Sequence, residues 1–332
     1  LFSYFEEGKS LNFTPIAEDV IEAFRQKIMD SNQNNRAAYN KLINQLLTIM
    51  LNENLHWRFY YFGFLLLNYL IRTDIDFPIN GVRFFIHNLA HDLLLIRKIA
   101  RTGLVKIMQI MLPKKITSRI EGLESINYDE NDLGCLHNEE IFDRQLFLDK
   151  NHHGYYKNLP FKIKKFDSFE KNAQFEVLSI EFNKSTFLDK VFTLNSIENG
   201  TRISDENIKF WKLYFTLIKL EFSDQIFSRV TLLLDKHRYN YDKYALEVLC
   251  GLTKASKHFE YHAYKKFQTF FLVIIEKYFF NLDSESKTFW DELFYSLFHF
   301  GDLKRSLWCV KFLIKKTTNS VELSPFYQYE IL

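Results

Sequence analysis

The stretch from Leu55 to Pro113 constrains the fold most, because it contains three consecutive apolar patterns of helical spacing. Phe77-Pro78 opens the second helix, since proline suits the first helical position, where its missing N–H leaves no hydrogen bond unmade. His91-Asp92 interrupts the pattern, and Asp92 is the predicted N-cap of the third helix. The stretch therefore predicts a helical hairpin that follows a first helix. Its predicted core positions are Val82, Phe85, Ile86, Leu89, Leu95, Ile96, Ile99, Ala100, Val105, Met108 and Leu112.

The spacing of polar and small residues in this hairpin is typical of HEAT repeats. Arg97 follows Asp92 by five residues, and Ala100 and Leu104 come next on the same helix. In such repeats an aspartate and an arginine of successive units bond across the stack, and a small residue lets neighbouring helices approach. Pro78, Asp92, Arg97 and Ala100 are therefore the predicted structural signature. An ordinary pair of buried helices in a globular domain stays the alternative, because the sequence has no strict repeat period.

The rest of the chain predicts further helices at regular intervals. With 332 residues but only 10 glycines and 5 prolines, the chain contains few residues that break a helix. Ser204, Ser223, Ser284 and Asp302 stand where N-caps are expected. Ala245, Gly251 and Ala255 are predicted positions of close helix approach. The predicted helices are 16–28, 36–51, 171–182, 185–194, 204–220, 223–235, 241–255, 261–280, 284–300 and 302–316.

These patterns predict an all-α fold, an α-solenoid of HEAT-like helical hairpins with one long irregular insertion. Residues 1–113 and 171–316 are the predicted repeats, 114–170 the insertion and 317–332 an irregular tail. More than 50 residues without strong periodicity are long for a connection, which predicts a functional role, partial disorder or both. The insertion carries a cluster of lysines, which either line an anion-binding opening or belong to a solvated loop. They are Lys157, Lys162, Lys164 and Lys165.

No pattern in the sequence predicts an enzyme. The formal net charge is +2, so overall charge does not indicate a nucleic-acid partner. The 3 cysteines lie far apart, which favours a reducing compartment, and the adjacent His152-His153 cannot share one helical face. No apolar run reaches the roughly 18 residues of a membrane span. We therefore expect no catalytic residues, no metal site, no required cofactor, no membrane partner and no direct nucleic-acid partner.

Four blocks of sequence resemble the large single-chain HEAT-repeat activators of the proteasome core particle, in the same order and at similar separations. Leu55-His56-Trp57-Arg58-Phe59 is the first, and Val82–Leu89 with His91-Asp92 and Ile96-Arg97-Lys98 is the second. His153-Gly154-Tyr155-Tyr156 is similar to an HWGYY element, with histidine in place of tryptophan. The fourth block is Gly251-Leu252 with Ala255–Phe259, which is similar to GLxxGSKHW with phenylalanine in place of tryptophan. The composition, rich in Asn, Lys and Phe, suggests the yeast-like branch of this 200-kDa-type family.

The resemblance implies an internal segment of a much longer chain in the nucleus and cytoplasm. Members of the family cap the α-ring end of the core particle and promote hydrolysis of peptides and unfolded proteins without ATP or ubiquitin. Core-particle assembly, DNA repair and degradation of acetylated histones are associated with them. Some members hold inositol phosphate at openings in the dome, and the four lysines of the insertion are candidates for such a lining. The gate-opening tail is not matched by Tyr329-Glu330-Ile331-Leu332, so gate opening is not assigned to this chain.

Two classes of function follow. The first is a structural and regulatory segment of a proteasome activator, which acts through its shape and limits what enters the core particle. The alternative is a generic HEAT-repeat adaptor, similar to a transport receptor, that binds a protein partner on its concave face. The four matched blocks and the long insertion favour the first, since a transport receptor is not expected to share them.

Overall fold

The computed structural model describes residues 36–51, 55–72, 76–112, 173–198, 200–259, 261–281, 286–300 and 306–319. Every regular element within these ranges is a helix, which confirms the predicted all-α fold. The predicted helix at 16–28, the insertion and the N-caps Ser284 and Asp302 lie outside the described residues. The last described helix includes the first three residues of the predicted tail, 317–319, and the remainder of the tail lies outside the described residues.

The described helices fall into two compact units. The first unit contains α1 Arg36–Met50, α2 Trp57–Tyr69, α3 Ile79–Asn88, α4 Leu94–Met111, α5 Ala173–Phe182 and α6 Ser185–Ser196. The second contains α7 Asp205–Ile218, α8 Ser223–Leu234, α9 Tyr239–Ser256, α10 Tyr261–Tyr278, α11 Lys287–Tyr295 and α12 Leu307–Asn319. A 3₁₀ turn, Phe279–Asn281, follows α10, and a π-helical turn, Ser296–Phe300, follows α11.

In the first unit α3 lies against α1, α4 and α5. Aromatic rings fill the space between the helices: Phe64 of α2 meets Phe85 of α3 with ring centroids 4.8 Å apart. Gly103 of α4 lies so close to the Phe85 ring that a Cβ there would overlap it. The interior is therefore built from bulky rings that fit against small residues of the next helix.

The predicted core of this hairpin is confirmed at nine of its eleven positions, all buried in the structure: Val82, Phe85, Ile86, Leu89, Ile96, Ile99, Ala100, Val105 and Met108. Leu112 is half-buried. The prediction that Leu95 is buried is wrong, because its side chain is 55% exposed and follows the exposed Leu93 and Leu94. The residue precedes Ile96 by one position, so it points about 100° away from the buried stripe that Ile96 begins.

In the second unit α7 and α9 share the most extensive interface among the described helix pairs. Gly251 of α9 lies against the backbone of Trp211 and Lys212 in α7. Ala245 and Ala255 lie on the same helix and are fully buried. The predicted close approach is therefore confirmed at Gly251, whereas at Ala245 and Ala255 the structure shows burial.

The predicted N-caps have mixed outcomes. Ser204 caps α7, since its hydroxyl accepts a hydrogen bond from the N–H of Asn207 at 3.4 Å. Ser223 is the first residue of α8 instead, and its hydroxyl donates to the carbonyl of Leu220. Asp92 does not cap α4, because Leu93 occupies the N-cap position. The N–H of Leu93 is instead satisfied by Nδ1 of His91 at 3.0 Å.

Candidate functional site

The first candidate region is the turn between α3 and α4, which holds the predicted signature residues. Pro78 occupies the N-cap position of α3 with φ −57° and β-type ψ, one residue earlier than predicted. Asp92 is exposed in the turn, whereas Ala100 is fully buried. Arg97 is 4% exposed and lies one turn into α4. The structure thus brings Asp92 and Arg97 together at the turn and places Pro78 and Ala100 at separate packing positions.

Arg97 joins the turn to the end of α6. Its Nη1 donates to the backbone carbonyls of His91 and Asp92, each at 2.9 Å. Its Nε and Nη2 donate to one carboxylate oxygen of Glu198 at 3.1 and 2.7 Å. The carboxylate that pairs with Arg97 is therefore that of Glu198, and Asp92 contributes only its carbonyl.

A second arginine completes this cluster. Arg101 follows Arg97 by one turn of α4 and donates to the Oδ1 of Asn195 at 2.7 Å, with the Glu198 carboxylate 4.0 Å away. Asn195 in turn donates to the carbonyl of Val191 in its own helix. Glu198 thus serves two buried guanidinium groups, which fixes the end of α6 against α4.

The charges around this turn also act on His91. Burial lowers the pKa of His91, and the neighbouring Arg97 and Lys190 lower it further, while Asp92 opposes them. The neutral ring is the form that accepts from the N–H of Leu93. The surroundings of the turn therefore favour the uncharged form of His91.

A different cluster holds the second unit together. Glu247 of α9 is fully buried, and its carboxylate accepts from the N–H of Ser204 at 2.7 Å and from the Nδ2 of Asn207 at 2.5 Å. Ser204 is the N-cap of α7 and Asn207 lies in its first turn, so the carboxylate sits at a helix N-terminus, where unpaired N–H groups and the helix dipole favour a negative charge. Asp242 on the same helix accepts from the hydroxyl of Ser286 at 2.9 Å.

The described residues contain neither an activated thiol nor a cluster that could hold a metal ion. Burial raises the pKa of both Cys250 and Cys309 to about 12, so neither thiol is activated as a nucleophile. Within these residues no group of three or more His, Cys, Asp or Glu side chains could hold a metal ion. None of the described helices combines the length and the apolar character that crossing a membrane requires. Lys157, Lys162, Lys164, Lys165 and His153–Tyr156 lie outside the described residues.

An open groove runs along α1 and α3 of the first unit. Its wider part has a volume of about 550 Å³, and a narrower part of about 300 Å³ adjoins it. Three polar side chains line both parts: Asn44, Asn80 and Arg83. Buried Phe77, Leu47 and Phe84 supply apolar wall, and the remaining polar lining comes from Asn40, Thr48, Asp76, His87 and Gln174.

Sequence reasoning missed Glu198, Glu247 and this groove. Glu198 and Glu247 each bond a residue 40 or more positions away along the chain. Such pairs carry no local signal, because the apolar period locates helices and not their neighbours. The sequence did contain a partial indication of the groove, because Asn40, Asn44 and Thr48 stand four residues apart on a predicted helix and therefore share one face.

Comparisons with known proteins agree with this architecture. A family model described as "Proteasome activator complex subunit 4-like, HEAT repeat-like" matches residues 80–331. Proteins named "Proteasome activator complex subunit 4" are 21% identical in Bos taurus and 22% identical in Homo sapiens, each over 93% of this chain. The relative of that name in Xenopus laevis is 23% identical over 83% of this chain. The chain spans 18%, 18% and 17% of the length of these three relatives, less than a fifth of each.

Proposed function

Because this chain belongs to the family of proteasome activator complex subunit 4-like proteins with HEAT-like repeats, we propose that it is a structural and regulatory segment of an ATP-independent proteasome activator. In this proposal the intact activator caps the α-ring end of the core particle and regulates substrate entry at its gate. The segment contributes by its shape, as part of a wall of stacked helices.

The observation that carries the proposal is the family match over residues 80–331, which covers helices of both units. The relatives bear the name of an activator, a protein that regulates another protein's activity. Two contacts of buried charged side chains support a scaffold role, because Arg97 with Glu198 and Glu247 with Ser204 each join neighbouring helical segments of one unit.

Several finer properties belong to the proposal. We propose a nuclear and cytoplasmic location, with unfolded proteins or histones as substrates and further roles in core-particle assembly and DNA repair. The lysines of the insertion are proposed to line an opening that holds an inositol phosphate. The family resemblance supports each of these expectations.

The test uses the full-length protein and latent proteasome core particles. The two are mixed at low salt, separated on a native gel and overlaid with a fluorogenic peptide. Co-migration with increased peptide hydrolysis is the expected result. An absence of co-migration would overturn the proposal and make the generic HEAT-repeat adaptor the leading hypothesis.

A matched pair of variants addresses this segment in particular. Arg97→Ala removes the ion pair with Glu198, whereas Lys98→Ala alters the exposed neighbour on the same helix. If the segment acts through its shape, Arg97→Ala lowers activation and Lys98→Ala leaves it unchanged. Equal activation by both variants would show that activation does not depend on the shape of this segment.

A further inference from the structure

We propose that the groove along α1 and α3 binds an extended acidic polypeptide segment, mainly through the main chain of that segment. This inference does not rest on the proposed function, because an activator and an adaptor could both use such a site. It rests on the type, the spacing and the charge of the side chains that line the groove.

The side-chain type matches a peptide main chain. Asn40 and Asn44 on α1 and Asn80 on α3 are exposed and line the groove. Each carboxamide offers an N–H₂ donor and a carbonyl acceptor, the same pair of groups that a peptide unit presents. In the part of the chain that the structure describes, none of the three uses its side chain in a hydrogen bond. The three amides are therefore available to a bound chain.

The spacing matches an extended peptide. Asn40, Asn44 and Thr48 follow one another at four-residue intervals, so they rise about 6 Å per step along one face of α1. An extended chain repeats its orientation every two residues, about 6.8 Å. The groove follows both helices in the same direction, since Asn40 and Pro78 line its wider part and Leu51 and His87 its narrower part. An extended segment of about four residues can thus meet successive polar side chains of α1.

The charges select an acidic segment. Arg83 lies where the two parts of the groove meet, and it is the only lysine or arginine among the residues that line them. His87 lies at one end and Asp76 at the other. Glu181 of α5 also faces Arg83 and His87, but Lys184 already pairs with it. The exposed guanidinium therefore favours a carboxylate at the centre of the bound segment.

The test measures peptide binding by the full-length protein without core particles. The probe is a fluorescein-labelled ten-residue peptide of Gly and Ser with two central Glu residues, read by fluorescence polarisation. We expect the Asn40→Ala, Asn44→Ala double variant to weaken binding about tenfold, since two main-chain hydrogen bonds are lost. Gln45→Ala is the matched control, because Gln45 is an exposed carboxamide of α1 that does not line the groove.

Two further arms examine the charge and the main chain. Arg83→Gln is expected to abolish the preference for the Glu peptide over the same peptide with Gln. N-methylation of the central peptide bonds is expected to weaken binding to the unaltered protein.

The proposal is overturned if the protein does not bind the peptide, or if the double variant binds as tightly as the Gln45→Ala control. A further test replaces Asn80 by cysteine and attaches a cross-linker to it. If the protein binds no peptide and the cross-linker captures another segment of the same chain, the proposal is also overturned. Core-particle activation is measured separately, so failure of either proposal leaves the other standing.

Discussion

At the scale of single residues, glycines set how closely two helices can approach, because glycine has no Cβ. A Cβ added to Gly251 would overlap the Cβ of Trp211 and lie 2.9 Å from the backbone nitrogen of Lys212. A Cβ added to Gly63 would instead meet the side chain of Met50, with Sδ at 3.0 Å. Backbone in a packed helix cannot yield, whereas a methionine side chain can adopt another rotamer. A larger residue is therefore expected to be tolerated at position 63 but not at position 251.

We predict that Gly251→Ala lowers the free energy of unfolding of the second unit by about 2 kcal/mol or more, because α7 and α9 must separate. Gly63→Ala is the control, with a change within about 1 kcal/mol of zero, because the helix propensity of alanine offsets the small shift of Met50. Urea unfolding followed by circular dichroism measures both. Equal losses in the two variants would contradict the steric argument.

His91 makes the turn between α3 and α4 sensitive to acid. Its pKa lies below the ordinary value of 6.5, and its neutral ring accepts a hydrogen bond from Leu93. Because the folded pKa is the lower one, the contribution to stability is fully present above about pH 6.5 and is lost as the pH falls through the folded pKa.

We therefore predict that His91→Gln flattens the decline in stability between pH 7 and pH 5, because the variant has no ring to protonate. Chemical unfolding of both proteins across this range measures the difference. His262→Gln on α10 is the control, since its exposed ring lies in the other unit. If the unaltered protein and His91→Gln lose stability equally as the pH falls, His91 is not the source of the acid sensitivity.

At the scale of helices, the sequence located the described elements to within a few residues, because apolar spacing and N-caps act locally. Helix α3 begins at Ile79, one residue after the predicted proline, and α9 begins at Tyr239, two residues before its predicted start. The partners of each helix could not be predicted. Asp92 looked like a cap by its type, but the histidine before it supplies the acceptor. The choice between them depends on the path of the turn, which packing decides.

We predict that Arg97→Ala lowers the free energy of unfolding of the first unit by about 3 kcal/mol. The substitution leaves the carboxylate of Glu198 without this partner in a site where both side chains are largely buried. Lys98→Ala is expected to change stability by less than about 0.5 kcal/mol, because Lys98 is exposed. Denaturant unfolding measures both.

A second change makes this test more specific. Combining Glu198→Gln with Arg97→Ala tests whether the two residues are coupled: because either substitution alone already breaks their ion pair, the double variant is expected to lose less stability than the sum of the two single losses. A double variant that is less stable than Arg97→Ala by the full cost of Glu198→Gln alone would show that the two residues act independently.

At the scale of the whole molecule, the described chain consists of two units that each have an interior of their own. Phe64 and Phe85 lie in the interior of the first, and Trp211 and Leu249 in that of the second. Repeat proteins derive their stability from such local interfaces between neighbouring helices. Loss of one interface is therefore expected to act first on its own unit.

We predict that Gly251→Ala raises amide hydrogen exchange across α7 to α9 while α1 to α4 keep their protection. Arg97→Ala is expected to give the reverse pattern. Hydrogen–deuterium exchange followed by mass spectrometry measures both at peptide resolution. A uniform rise along the chain in either variant would contradict separate stabilities.

The polar clusters of the two units have a consequence for how such a chain can evolve. One unit is held by Glu198 between two arginines and the other by Glu247 on a helix terminus, so each junction uses its own chemistry. A duplicated or transplanted helix pair would meet a neighbour that lacks its charge partner. The helix pairs of the two units are therefore not interchangeable, since a pair moved into the other unit would leave a buried charge without its partner.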